Sequence, residues 1–486
     1  MKHDNIDIVI GSPGCGKTTY LMNEIDKLLE QGIPTTQIGF LTFSVAAIEE
    51  ATARTLERFE LKKDNIPYFR TIHSMAYHLL GMDRSQVFDF NHFRKFAQLN
   101  EYKLSFGKDF STESFQSKDD KILQYVQIAR LKDIKLDDFY RTEIKEDSIS
   151  LRELKEMSER YSKYKMANCI FDYTDMIIHA NIEELFIPKL KYLFIDEAQD
   201  LSILQWKFIE KLSSNAEKII IAGDSKQSIN LFAGADVEYF VNLKGTLINL
   251  EQSYRIPRAV HTMALKIMKL IKNKHEVIWK PRDAQGSVTK MSTIPYGKFH
   301  KDDWLVLTRT KAQLGDIAEK CMQSGLIFTL LKKPPVDCDV FTAVKIFAAK
   351  DVLDIDESHK DILLKFIPKR YFNSLMKGTN WFSAFTRLTI TQRKYVSELL
   401  KRMENGEQIN FSKAKIRLST IHGSKGTEAT NVVLINRSSR TIAGEMLNCL
   451  EAEETEYKVL FVGVTRTKEN LYIIEDDEAK NTYDIL

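Results

Sequence analysis

Gly11-Ser12-Pro13-Gly14-Cys15-Gly16-Lys17-Thr18 fits the pattern GxxxxGK[ST], and Thr19 follows it. Glycines at these spacings let backbone N–H groups close around phosphate oxygens. Lys17 is spaced to reach β- and γ-phosphates, and the Thr18 hydroxyl to sit on Mg²⁺. The apolar run Ile6–Ile10 precedes the loop and a helical pattern follows it to about Glu30. That predicts strand, loop, helix, with the positive helix end facing the anion. Phe194-Ile195-Asp196-Glu197-Ala198-Gln199-Asp200 ends a second apolar run in carboxylates. Asp196 is placed for the Mg²⁺ shell, and Glu197 to orient and deprotonate a water. The chemistry these residues point to is hydrolysis of a nucleoside triphosphate.

Three further segments are weaker on their own. Gly223-Asp224-Ser225-Lys226-Gln227-Ser228-Ile229 follows another apolar run, and Gln227 could sense a γ-phosphate through its amide. Arg255 lies in Gln252-Ser253-Tyr254-Arg255, and Arg466 ends Val462-Gly463-Val464-Thr465-Arg466. An arginine facing a nucleotide from another domain stabilises transition-state charge, although either residue could equally form a surface ion pair. Ser419–Glu428 is a glycine-containing loop after a strand, with the polar and cationic residues a coupling loop needs.

The elements that must position these residues follow an α/β alternation. Strands are expected at Ile6–Ile10, Ile38–Phe43, Phe69–Ile72, Lys191–Ile195, Lys218–Ala222, Thr246–Leu250, Trp304–Thr308, Lys415–Ser419 and Asn431–Ile435. Ser44 is the expected cap of the helix after the second of them. Residues 82–185 and 339–410 are charged, helix-like and without parallel-strand signal. The chain therefore reads as two α/β cores in tandem, each with a helical insertion. The first core takes 1–81 and 186–251, and the second 252–338 and 411–486.

Composition bounds the rest. With 486 residues, 43% hydrophobic and 28% charged, the chain is not disordered. A net charge of +3 is the difference of 70 cations and 67 anions, which leaves room for a basic groove on an acidic body. The five cysteines lie far apart, with no CxxC pair, which argues against a zinc ribbon or disulfide framework and for a reducing cytoplasm. No apolar run approaches the ~20 residues needed to span a bilayer, so no membrane partner is expected.

Taken in order, these motifs resemble the UvrD/Rep-type branch of the superfamily 1 DNA helicases. The resemblance also uses Leu41-Thr42-Phe43-Ser44, Thr71-Ile72-His73-Ser74 and Leu305-Val306-Leu307-Thr308-Arg309, and it covers most of both cores. It implies two RecA-like P-loop NTPase domains with ATP and Mg²⁺ in the cleft between them. Lys17, Thr18, Asp196, Glu197 and Gln227 would come from the first domain, and Arg255 and Arg466 from the second. Tyr254 would stack on the base and Glu428 would bind the ribose. Phe43, His73, Phe232 and His422 match positions that relatives place along single-stranded DNA.

Departures from the family pattern are visible. Relatives carry an adenine-reading Gln some twenty residues before the loop, whereas here the loop starts at Gly11. The usual Trp-Arg after the third motif is Phe232-Ala233, and the preceding Tyr is Asn230. The second insertion is short. The resemblance implies an ATP-dependent helicase moving 3′-to-5′ on single-stranded DNA and acting at single/double-strand junctions. An RNA or hybrid helicase, or a DNA-stimulated ATPase acting as a switch without unwinding, would carry the same motifs. The sequence names no protein partner.

Overall fold

The structure, a computed structural model, describes residues 5–105, 117–144, 148–272, 277–350, 355–377, 379–475 and 481–486. The chain forms two compact units. The first is Met1–Gly286 with Glu445–Thr465, and the second is Ser287–Gly444 with Arg466–Leu486.

The first unit is built on six strands: β1 (Ile6–Gly11), β2 (Ile38–Thr42), β3 (Phe69–Thr71), β4 (Tyr192–Asp196), β5 (Lys218–Gly223) and β6 (Thr246–Leu250). They form one sheet in the order β3-β2-β4-β5-β1-β6, and every pairing is parallel. The near-continuous apolar runs of the sequence follow from this, because a central parallel strand is buried on both faces. Alternate residues serve opposite cores. Val9, Phe194 and Ile220 join Leu21, Ile25 and Phe40 on one face. Ile8, Ile10, Leu193, Ile195, Ile219 and Ile221 join Trp206, Phe208 and Met176 on the other. This is the period of two that a strand imposes on its side chains. Since all six strands run the same way, Gly11, Asp196 and Gly223 come out at one edge, where ligands of open parallel sheets bind.

Two more strands, β7 (Gln252–Pro257) and β8 (Lys280–Arg282), pair in parallel within the same unit. Residues 252–286 therefore sit with the first unit, not with the second core as their motif order predicted. Only Glu251 separates β6 from β7, so β7 starts where β6 leaves the edge of the sheet. The helix Leu450–Val464 also belongs here, with Phe461 packed against Trp279 at 5.9 Å.

The expected first insertion is helical, with helices Phe90–Leu99, Lys118–Leu131, Leu136–Glu143, Leu151–Asn168 and Tyr173–Ile182. It has a core of its own around Phe96, Val126, Leu154, Met157 and Tyr161. Beside that core lies a buried ion cluster. Asp172 accepts from Lys165 Nζ at 2.7 Å and from Arg130 at 2.7 Å, and Asp175 accepts from Lys165 at 2.5 Å. The two carboxylates and two cations balance, so no buried charge is left uncompensated. Asp172 also caps the helix Tyr173–Ile182, its carboxylate accepting from Asp175 N.

The second unit holds β9 (Ser287–Met291), β10 (Trp304–Thr308), β11 (Phe328–Leu330), β12 (Ile416–Thr420), β13 (Ala429–Ile435) and β14 (Thr467–Ile474). Their order is β11-β12-β10-β13-β14-β9, again all parallel. The second insertion is helical too, and its described residues share a core with the sheet. Phe347, Phe385 and Tyr395 pack in one cluster with Trp304, Phe328 and Val433 of the sheet. Among the described residues no helix is long and apolar enough to cross a membrane, and all five cysteines are free thiols.

Candidate nucleotide and nucleic-acid sites

The loop after β1 turns through Gly14 and Gly16, both left-handed at φ +76°. Glycine is required at 14 for a second reason. A Cβ there would lie 2.6 Å from Arg255 Cβ and 2.7 Å from Ser253 Oγ. That contact exists because the start of β7 is bound to the loop. Ser253 Oγ donates to Pro13 O at 2.9 Å, and Tyr254 N donates to Gly14 O at 2.8 Å. Arg255 is therefore part of the first unit, beside the phosphate loop. It was expected to reach the nucleotide from the second core, and the strand pairing and these two bonds are why it does not. Tyr254, 73% exposed, lies over the same loop, with its ring 3.9 Å from the position a Gly16 Cβ would take.

Lys17 opens the helix Lys17–Glu30 and folds onto the loop, Nζ donating to Gly11 O at 2.7 Å. Thr18 Oγ1 donates to Asp196 Oδ2 at 2.5 Å, reaching across β5. Asp196 is 1% exposed, and burial, with Glu197 alongside, pushes its carboxyl up to about 6. A buried carboxylate beside a second one is a place where a cation gains energy. Thr18 and Asp196 present the hard oxygen ligands Mg²⁺ takes. Among the described residues no group of three or more His, Cys, Asp or Glu side chains is placed to hold a metal ion. Because proton and cation compete for Asp196, Mg²⁺ binding is expected to weaken as pH falls through about 6. Titrating Mg²⁺-dependent nucleotide binding at pH 5 and pH 8 checks this, and equal affinities would remove Asp196 from the shell.

Glu197 is held in a left-handed turn at φ +56°, its N–H donating to Asp196 Oδ1 at 2.9 Å. Gln227, buried after β5, donates from Nε2 to Asp224 Oδ2 at 2.9 Å. Cys15 is buried in the loop, and desolvation raises its thiol to about 11, which keeps it neutral and unreactive. The structure thus brings Gly11 to Thr19, Asp196, Glu197, Gln227, Tyr254 and Arg255 into one unit.

In the second unit, β12 and β13 place the loop His422–Glu428 beside the start of β14. Arg466 is 3% exposed, accepts from Ala429 N at its carbonyl, and points Nη1 at Thr427 O, 3.4 Å away. Glu428, the expected ribose ligand, pairs with Lys468 at 2.7 Å. His422 is half-buried in the same loop.

Along the first unit, Phe43 directly follows β2 and is 37% exposed. His73 lies in the helix Ile72–Leu79, which Thr71 caps. Burial lowers the His73 imidazole to about 4, against the opposing pull of Asp172. The ring is therefore neutral at pH 7 and offers a face, not a charge. Tyr173 packs edge-on against it with centroids 5.5 Å apart and is 63% exposed. The Phe232 side chain lies outside the described residues.

Residues 2–247 match the UvrD/REP helicase N-terminal domain, and residues 370–478 match the UvrD-like helicase C-terminal domain. The chain belongs to the UvrD/Rep helicase family. Within that family it is 23% identical over 360 residues to the putative ATP-dependent DNA helicase YjcD of Bacillus subtilis, covering 66% of this chain and 46% of that protein. It is 28% identical over 305 residues to the probable DNA helicase II homolog of Rickettsia conorii, covering 57% and 44%. The chain spans about half the length of the curated relatives it matches. A solved structure described as Arterivirus nonstructural protein 10 (helicase) overlaps 97% of this chain and 60% of that one, at 10% identity and a TM-score of 0.35.

Two residues given no role by the sequence emerge from the geometry. Tyr173 reads in sequence as one more residue of a charged helical insertion, and only the tertiary contact puts its ring on His73. Ser253 reads as a spacer between Gln252 and Tyr254, yet its hydroxyl ties β7 to the phosphate loop.

Proposed function

We propose that this UvrD/Rep protein hydrolyses ATP with Mg²⁺ to move 3′-to-5′ along single-stranded DNA and separate duplex at single/double-strand junctions. The observation that carries the ATPase reading is the Thr18–Asp196 hydrogen bond, which joins the phosphate loop to the carboxylate pair. In this reading Lys17 leaves Gly11 O for the β- and γ-phosphates. Thr18 and Asp196 would hold Mg²⁺, whose charge would offset that of the phosphates. Glu197 takes the proton of the attacking water, and Gln227 senses the γ-phosphate. Tyr254 stacks on the base, Glu428 binds the ribose, and Arg255 steadies phosphate charge from within the first unit. Arg466, in the second unit, is the other arginine proposed to stabilise transition-state charge.

For the strand, Phe43, His73, Phe232 and His422 are the proposed contacts, and Tyr173 joins them through His73. Exposed rings stack on bases of any sequence, at ~1–3 kcal/mol each. Polarity rests on the family resemblance of Gln227-Ser228-Ile229, and the reducing cytoplasm fits the free thiols. The test is strand displacement with ATP and Mg²⁺ on duplexes carrying a 3′ or a 5′ single-stranded tail. Displacement from the 3′ tail alone is expected. Displacement from the 5′ tail would reverse the polarity. DNA-stimulated hydrolysis without displacement would make the chain a switch or a partner-dependent translocase.

A further inference from the structure

Gln199 is completely buried, and every polar atom of its amide is used. Its Nε2 donates to Glu197 Oε2 at 2.5 Å, and its Oε1 accepts from Asp224 N at 2.9 Å. The orientation of the amide is not free. A backbone N–H can only donate, so the oxygen must face Asp224, and a carboxylate can only accept, so the nitrogen must face Glu197. Its own carbonyl accepts from Ser228 Oγ at 3.1 Å. Gly223 makes room for the side chain, since a Cβ there would lie 2.8 Å from Gln199 Oε1. Asp224 in turn accepts from Gln227. One side chain thus links the turn after β4 to the turn after β5.

We infer that Gln199 is a positioning residue for hydrolysis: it fixes the direction of the Glu197 carboxylate and ties that direction to the segment carrying Gln227. The inference rests on the reading of Glu197 as the group that takes the water's proton. A carboxylate on a left-handed turn has rotamer freedom that a single buried donor removes. The same amide makes the direction answerable to the segment after β5, so a shift of Gln227 on phosphate or DNA engagement reaches Glu197 without touching the loop that binds nucleotide.

The test compares Gln199→Met and Gln199→Glu in the full chain. Both are expected to lower kcat of the DNA-stimulated ATPase by about tenfold or more, the usual effect of losing an orienting partner. KM for ATP should stay within about twofold, since neither side chain faces the nucleotide loop, and the fall in melting temperature from the buried groups left unpaired is measured separately. Their order is the decisive readout. Gln199→Glu keeps the shape and the acceptor for Asp224 N–H but turns an oxygen toward Glu197, so it should be the more damaging of the two. A residue that merely packs would give the opposite order, and that order, or an unchanged kcat, overturns the inference. Should the Met variant fail to fold, Gln199→Glu alone carries the test through its kcat-against-KM split. Glu197→Gln is assayed alongside. If it turns over ATP normally, the reading of Glu197 fails and the inference goes with it. If it is inactive while both Gln199 variants are normal, only the inference fails.

Discussion

Lys17→Ala is expected to lower ATP turnover by about 10²–10³ or more, the range seen when one preorganised charge-stabilising donor is lost. Lys17 is mostly buried, and its Nζ already sits at the mouth of the loop, on Gly11 O. Removing it leaves that carbonyl without its donor and the phosphates without their nearest cation. Steady-state ATPase with saturating single-stranded DNA reads the effect directly. Retained DNA binding in the absence of nucleotide would show that the protein is folded. Near-normal turnover would refute the phosphate-loop assignment, because no other cation on the loop could replace Lys17.

Arg466→Ala is expected to separate binding from chemistry. An arginine supplied to a transferring phosphoryl group is worth about 10³–10⁵ in rate in GTPases, and a loss of about 10³ is expected here. Arg466 directly precedes β14 in the second unit, so nucleotide affinity of the first unit should change little, as a fluorescent nucleotide titration would read. Arg255 gives the internal contrast. Its side chain leaves the backbone beside Gly14, so losing the guanidinium in Arg255→Ala should weaken binding and turnover together. If Arg466→Ala leaves both unchanged, the residue does no more than brace the loop at Thr427.

Much of the fold was legible because its central strands are buried on both faces, although the edge strand Thr246–Leu250 is largely exposed. Thr246–Leu250 and Trp304–Thr308 match their expected bounds, and Ile6–Gly11, Lys218–Gly223 and Ile416–Thr420 fall within a residue or so. Ser44 caps its helix as expected, accepting from Ala47 N. Strands that escaped notice lack that signal. Gln252–Pro257 is polar and ends in proline, Lys280–Arg282 is charged, and Phe328–Leu330 is only three residues long. The allegiance of residues 252–286 was misread for a related reason. Motif order carries no information on which body a strand packs against, and Ser253 gives no sign of its bond to Pro13. The same holds for Gln199. It stands in view within the Asp196–Asp200 segment, but its job depends on where the end of β5 lies, which only the sheet order supplies.

The division of the chain has a practical consequence. Neither unit is an uninterrupted stretch of polypeptide, since residues 445–465 return to the first after the second has begun. A fragment ending at Gly286 would lack the helix that carries Phe461 to Trp279 and would leave the indole without that partner. Cutting the backbone anywhere between Ser287 and Gly444 would leave two pieces that both contribute to the first unit. A nicked protein should therefore stay together through a limited proteolysis experiment, and the two halves should be obtained by co-expression and not one at a time.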